Sequence, residues 1–248
     1  MGGTKPARIL VQARDRQLLD AVLKLGAVDR DHAKILGPFG STTRANARLL
    51  SLTQAGLLAR TYVGTINGGR RAVYLPPGRR RASASGRASA WAVVEHQLAV
   101  AEIYVAFCRV RLFGERPDWQ TFSQPLLPGS RLIPDGLLTV HSPAGDLPLF
   151  VEADRGTEPV AVWRAKAAKY VELALSGHHQ EICGPRNFHV VVTAPDKCRA
   201  EAIARTIASV TSKLFWITTA EAVISGAGGA PVWLRPDGSR PNAVPWMP

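Results

Sequence analysis

Asp135, Glu152 and Asp154 are the residues of this 248-residue chain best spaced to do chemistry together. They lie in PDGLLTVHSPAGDLPLFVEADRGTEPVAVWRAKAAKY, Pro134 to Tyr170. Asp135 precedes a short apolar strand, a Ser-Pro-Ala-Gly turn reverses the chain, and a second strand, Leu149 to Asp154, returns beside the first. Two acids distant in sequence are thereby placed side by side. Side chains alternate along a strand, so Glu152 and Asp154 point to one face, and Leu149, Val151 and Ala153 to the other. The next helix carries Lys166, Lys169 and Tyr170 on one flank. Carboxylates converging at one end of a sheet suit a hard divalent cation such as Mg2+, with Asp135 and Glu152 as its ligands. A lysine beside them can activate water and neutralise a phosphate in the transition state. Such a set, with Asp154 and Lys166 completing it, would hydrolyse a phosphodiester.

The elements that must position these groups run from Trp91 onward. WAVVEHQLAVAEIYVAFCRVRLFG reads as a long helix, apolar on most of its circumference and expected to be buried against a sheet. Strands follow at Trp119 to Gln124, Leu132 to Val140 and Leu149 to Asp154, then a helix from Pro159 to Leu175. Phe188 to Thr193 reads as a buried strand, Lys197 to Lys213 as a helix and Leu214 to Ile217 as a last strand. The order α-β-β-β-α-β-α-β implies an α/β domain with a mixed sheet, because its first strands are joined by turns and its later ones by helical crossovers. The Pro- and Gly-rich tail is expected to wrap the surface, with Pro236-Asp237 in a turn. His178 and His179 fall in an expected loop, Ser176 to Pro185, as solvated side chains. Trp163 and Tyr170 sit at helical spacing with Ala167 and Ala174, which suits core packing.

The first 76 residues have a different pattern. RDRQLLDAVLKLG places Leu18, Leu19, Val22, Leu23 and Leu25 on one helical stripe, and DRDHAKILG reads as a short second helix. A third helix is capped by Ser41, Thr42 or Thr43 and buries Ala45, Leu49 and Leu52, with Arg44, Arg48 and Ser51 outermost. Two strand-like runs joined by Asn67-Gly68-Gly69 then form a hairpin. Three helices followed by a basic hairpin are the order of a winged helix-turn-helix, whose third helix enters the major groove. Ser41, Thr42, Arg44, Asn46 and Arg48 are the expected groove contacts, and Arg70 and Arg71 the expected phosphate contacts. PPGRRRASASGRASA, residues 76 to 90, has linker composition, and its Arg79, Arg80, Arg81 and Arg87 can track phosphates as well. The expected organisation is residues 1–76 as a winged helix, 77–90 as a basic flexible linker and 91–248 as the α/β domain.

Charge supports that division. The chain carries a net charge of +12, and residues 1–90 hold 16 Lys and Arg against 4 Asp and Glu, leaving the remainder neutral. A basic module joined to a neutral domain implies a polyanionic partner, and double-stranded DNA fits better than a membrane surface, since no amphipathic helix with an aromatic face accompanies the charge. No run of 18 apolar residues is free of charge and the opening residues lack a signal peptide's apolar stretch, so the expected location is the cytoplasm. Cys108, Cys183 and Cys198 are odd in number and lack CxxC spacing, which suggests neither disulfides nor zinc. No GxxxxGK[ST], GxGxxG or GxSxG sequence is present, so nucleotide-driven and serine-hydrolase chemistry have no support. A winged helix reading a palindrome would pair as a homodimer, although no heptad marks an interface.

The separation of Asp135 from Glu152, the hairpin between them and the α-β-β-β-α-β order resemble the PD-(D/E)xK nuclease superfamily over roughly Trp91 to Thr193. Where that pattern has lysine, two residues after Glu152, this chain has Asp154. Either the lysine comes from the next helix as Lys166, or catalysis is lost and the fold retained, or Arg155 pairs with a carboxylate and holds the cluster together. Taken with RANARLLSLTQAGLLAR, EHQLAVAEIYVAF, PDG, VEADRGTEP and the K-x-x-x-Y helix, nearly the whole chain resembles the replication-relaxation family of plasmid and mobile-element proteins. Asp135, Glu152, Asp154, Arg155, Thr157, Lys166 and Tyr170 match its motif. The resemblance implies a DNA-binding protein of plasmid replication, relaxation or conjugative transfer, with other replication or transfer proteins as partners. A non-catalytic regulator or assembly factor and a metal-dependent endonuclease or nickase are the two alternatives.

Overall fold

The computed structural model describes residues 9–64, 68–78, 87–110, 114–225 and 232–246. Its residues group into two compact units, Met1–Ala101 and Glu102–Pro248. In the first, α1 (Ala13–Leu25) precedes a two-residue strand, β1 (Val28–Asp29), then α2 (Arg30–Leu36) and α3 (Thr42–Gln54). A hairpin follows, β2 (Ala59–Gly64) and β3 (Arg70–Leu75), and β3 is the centre of a three-stranded antiparallel sheet in the order β1-β3-β2. Asn67, at the expected hairpin turn, lies outside the described residues.

The helix boundaries follow from local capping. Asp29 accepts the backbone N–H of His32 at 2.9 Å and starts α2, and Ser41 accepts that of Arg44 at 3.2 Å and starts α3. On α3, Ala45, Leu49 and Leu52 are buried at the spacing of one helical stripe. The stripe of α1 differs from the expected one. Leu18, Ala21, Val22 and Leu25 are buried, whereas Leu23 is 68% exposed, because a five-residue step from Leu18 carries it around the helix.

The long helix α4 (Arg87–Val110) begins at Arg87, four residues before the expected start. The division into units falls within it. Leu98 packs with Ala27, Val63, Val73 and Leu75, with Trp91 and Val94 alongside, so residues up to Ala101 belong to the N-terminal unit. Trp91–Val110, with a mean hydropathy of 1.2, is long and apolar enough by composition to cross a bilayer. Its Leu98, Ala101, Ile103, Val105, Phe107 and Cys108 are all buried within the protein, as in a core helix. Arg79, Arg80 and Arg81 and the side chain of Arg87 lie outside the described residues.

The second unit is built on a five-stranded mixed sheet, β4 (Asp118–Gln120), β5 (Gly136–Val140), β6 (Leu147–Ala153), β7 (His189–Ala194) and β8 (Phe215–Thr219), arranged in that order. The first three strands are antiparallel; β6, β7 and β8 are parallel. Helices α5 (Val162–Ser176), α6 (His179–Cys183) and α7 (Lys197–Ala208) make the crossovers, and α8 (Ala220–Ile224) follows β8. Phe150, Val190, Val192, Phe215 and Ile217 meet Trp163, Tyr170 and Leu173 of α5 and Ile203 and Ile207 of α7 in one core.

Two expectations for this unit are corrected. His179 is buried in α6, its ring nitrogens 3.2 Å from the Leu173 carbonyl and 2.8 Å from that of Arg186, because the segment expected as a loop turns back under the end of α5. The tail enters the core instead of wrapping the surface. Trp233 and Trp246 are fully buried, Leu234 bridges to Ile217 at the β8 edge, and Trp246 meets Trp216, Trp233 and Phe107. Pro236-Asp237 does form a turn, closed by the Gly238 N–H donating to the Arg235 carbonyl at 3.0 Å.

Gly136, after the motif's Asp135, is required by close packing. A methyl group there would collide with the Trp119 indole on the neighbouring strand. Gly136→Ala should therefore destabilise the second unit by about 1–3 kcal/mol, read as a lower urea midpoint at unchanged m-value.

Candidate functional site

The site forms where β5 and β6 meet α5. Asp135 donates its N–H to the Val151 carbonyl at 3.1 Å, and its Oδ2 accepts from the Ala153 N–H at 2.7 Å, so the acid is fixed to the end of β6. Glu152 points from β6 toward α5 and is 2% exposed. Lys166 and Tyr170, one helical turn apart, both reach it: Lys166 Nζ donates to Oε2 at 2.7 Å and the Tyr170 hydroxyl to Oε1 at 2.7 Å. Lys166 also lies over the Trp163 ring at 4.9 Å. Lys169, expected on the same flank, pairs instead with Glu172 at 2.7 Å.

Burial pushes the Glu152 carboxyl up to about 7; Lys166 and Tyr170 oppose the rise and the nearby Asp135 charge adds to it. Burial alone would lower Lys166, but the carboxylate it faces raises it, so it stays a cation. Tyr170 is raised well above the ordinary phenol range, by burial first and then by Glu152, and remains a donor.

Asp154 leaves this cluster. Arg199, on the first turn of α7, grips both its carboxylate oxygens, Nε to Oδ2 at 2.7 Å and Nη2 to Oδ1 at 2.9 Å, and reaches the Glu158 carbonyl at 2.7 Å. Gly156, at a φ of +72°, turns the chain so that its N–H donates to Asp154 Oδ2 at 3.2 Å. Arg155 is half-buried and Thr157 exposed in the same loop. Sequence reasoning offered Arg155 as the partner of a carboxylate and missed Arg199, 45 residues beyond Asp154.

The acids expected to hold Mg2+ are engaged by hydrogen-bond donors. Both oxygens of Glu152 and both of Asp154 accept from cationic or hydroxyl donors, and one oxygen of Asp135 accepts a backbone N–H. Among the described residues no group of three His, Cys, Asp or Glu stands together as a metal centre. What the arrangement does is hold a carboxyl and a half-buried ammonium in fixed register at the seam between sheet and helix.

In the N-terminal unit, Arg44 and Asn46 are exposed on α3 and Arg70 on the hairpin. Ser41 serves as the helix cap, and Thr42 is half-buried. Two of the side chains expected to reach DNA are engaged within the unit, Arg48 half-buried and Arg71 exposed. Arg48 pairs with buried Asp15 of α1, Nε to Oδ1 at 2.9 Å, and Arg71 donates to Asp29 at 2.9 Å. Burial would raise Asp15, but Arg48 and the Gln12 N–H outweigh it and hold the carboxyl below its ordinary range.

A model of the replication-relaxation family matches residues 31–186, well over half of the chain. The chain belongs to the replication-relaxation family. The matched segment holds Asp135, Glu152, Lys166 and Tyr170, whereas Arg199, the partner of Asp154, lies beyond it. No curated protein and no solved structure matches this family member.

Two outcomes follow from the geometry. The folded protein keeps the Glu152 proton to about pH 7, while the unfolded chain releases it near 4.5. Between those values the folded state binds more protons, so stability falls as pH rises, by about 3 kcal/mol in all. Glu152→Gln should flatten that slope in a urea titration repeated at pH 4.5, 5.5 and 7. Removing Arg199 strands the nearly buried Asp154, so Arg199→Ala should cost about 3 kcal/mol in the same assay.

Proposed function

We propose that this replication-relaxation protein binds double-stranded DNA through its first unit and organises it during replication, relaxation or transfer of a plasmid or other mobile element. In this reading the first unit is a winged helix-turn-helix, with α3 in the major groove and the β2–β3 hairpin along the backbone. The observation that carries it is the confinement of the +12 charge to the first 90 residues, with Arg44, Asn46 and Arg70 exposed there. The second unit, an α/β unit on a mixed five-stranded sheet, is read as nuclease-like in descent and as an assembly platform for replication or transfer proteins. Its acids are occupied by Lys166, Tyr170 and Arg199, which supports organising DNA over cutting it. A symmetric homodimer over a palindrome is part of the same proposal.

Duplex affinity measured by fluorescence anisotropy across a salt series tests the first unit. Arg44→Ala with Asn46→Ala should weaken binding, and Arg70→Ala should reduce the salt slope by about 1, since one fewer phosphate is neutralised. Unchanged affinity in the first variant would remove α3 from the interface. Arg48 is unsuitable for this test because its removal strands Asp15.

The nuclease reading keeps one favouring observation, the Lys166 ammonium 2.7 Å from Glu152. Supercoiled plasmid incubated with magnesium or manganese decides between them. The organising role expects the plasmid to stay supercoiled; nicking that disappears in Asp135→Ala would assign cleavage to this site.

A further inference from the structure

One face of the β2–β3 hairpin enters the core; the other is covered at Tyr74, which is buried beside Val28 of β1, and open around Tyr62. Val63, Val73 and Leu75, with Ala59, enter the core. Strand alternation and register place Arg60, Tyr62 and Gly64 on the opposite face, across from Tyr74, Ala72 and Arg70. Tyr62 is 43% exposed, Arg60 and Arg70 are exposed, and the Arg60 guanidinium lies 5.5 Å over the Tyr62 ring. Residues around the ring are small: Ala72 is its direct cross-strand partner, and Gly64, next on the same face, has open space where a side chain would stand.

A flat exposed aromatic ring, small neighbours and flanking arginines are what an unpaired base and its phosphates require. Every base offers a π-face to stack, and the arginines neutralise the backbone on either side. A duplex backbone would use the arginines but has no use for the ring, because its bases are stacked on one another. A protein partner would be drawn by apolar area, whereas the open part of this face offers the Tyr62 ring between two cations, Tyr74 being buried, in a strongly basic unit.

We propose that the outer face of the β2–β3 hairpin binds single-stranded DNA, with Tyr62 stacking on a base and Arg60 and Arg70 holding the adjacent phosphates. This extends the reading of α3 as the duplex reader, and gives the same unit a means of holding DNA whose strands have parted.

The probes are a fluorescein-labelled oligothymidine and a labelled duplex, each titrated with the full chain. Tyr62→Ala should weaken oligothymidine binding roughly 5- to 100-fold, as removal of one base–aromatic stack does, and leave duplex binding within about twofold. Tyr62→Phe, which keeps the ring, should bind like the wild type. Arg44→Ala should do the reverse, lowering duplex affinity and sparing oligothymidine. Wild-type protein that fails to bind oligothymidine would overturn the proposal, as would equal losses on both probes in Tyr62→Ala. Failure of the duplex mode alone would instead overturn the role of α3.

Discussion

The second unit depends on a carboxyl group in the least hospitable place for one. Glu152 sits in the sheet–helix core among Phe150, Val192 and Tyr170, where an ionised acid without partners would be strongly disfavoured. Lys166 and Tyr170 answer that penalty with one donor for each oxygen. Because both donors lie on α5, one turn apart, the rotation and axial position of that helix on the sheet are set by the acid it covers. A slip of one residue would aim neither group at Glu152. The apolar packing of Trp163, Ala167 and Leu173 would tolerate more freedom than this pair of bonds does.

The same principle governs the N-terminal unit in a different form. The four acids of the first 90 residues all meet bases close at hand: Asp15 with Arg48, Asp20 with Lys24, Asp29 with Arg71 and Asp31 with Arg30. Arg48 and Arg71 tie separate elements together, Arg48 joining α3 to α1 and Arg71 joining β3 to Asp29 of β1, while the Lys24 and Arg30 pairs are local to their own helices. Arg44 of α3 and Arg60 and Arg70 of the hairpin are exposed.

Local periodicity made much of this legible in advance. The alternation in β6, the stripe Ala45-Leu49-Leu52 and the caps Asp29 and Ser41 are properties of short segments, and the order of strands and helices in the second unit followed from them. The spacing of Lys166 and Tyr170 set both on one flank of α5, though their common partner Glu152 was not legible from it. Pairings across the fold were not legible. Asp154 and Arg199 are 45 residues apart and Asp15 and Arg48 are 33 apart, and nothing in either sequence neighbourhood selects the partner. For the same reason Arg48 read as a surface base, since its exposure depends on what the rest of the chain brings beside it. The tail misled through composition: Pro and Gly signalled an irregular backbone, and irregular backbone can still deliver Trp233 and Trp246 to the interior.

That buried tail has a bearing on how the protein is made. Phe107 and Trp246 touch across 139 residues, and Leu234 lies along the outer edge of β8, so large pieces of this core are synthesised long after its first helix. During translation the sheet must wait with an apolar surface and an open strand edge until the ribosome has released them. The core cluster of Ala27, Val63, Val73, Leu75 and Leu98 in the first unit is complete in sequence well before any of those residues is made.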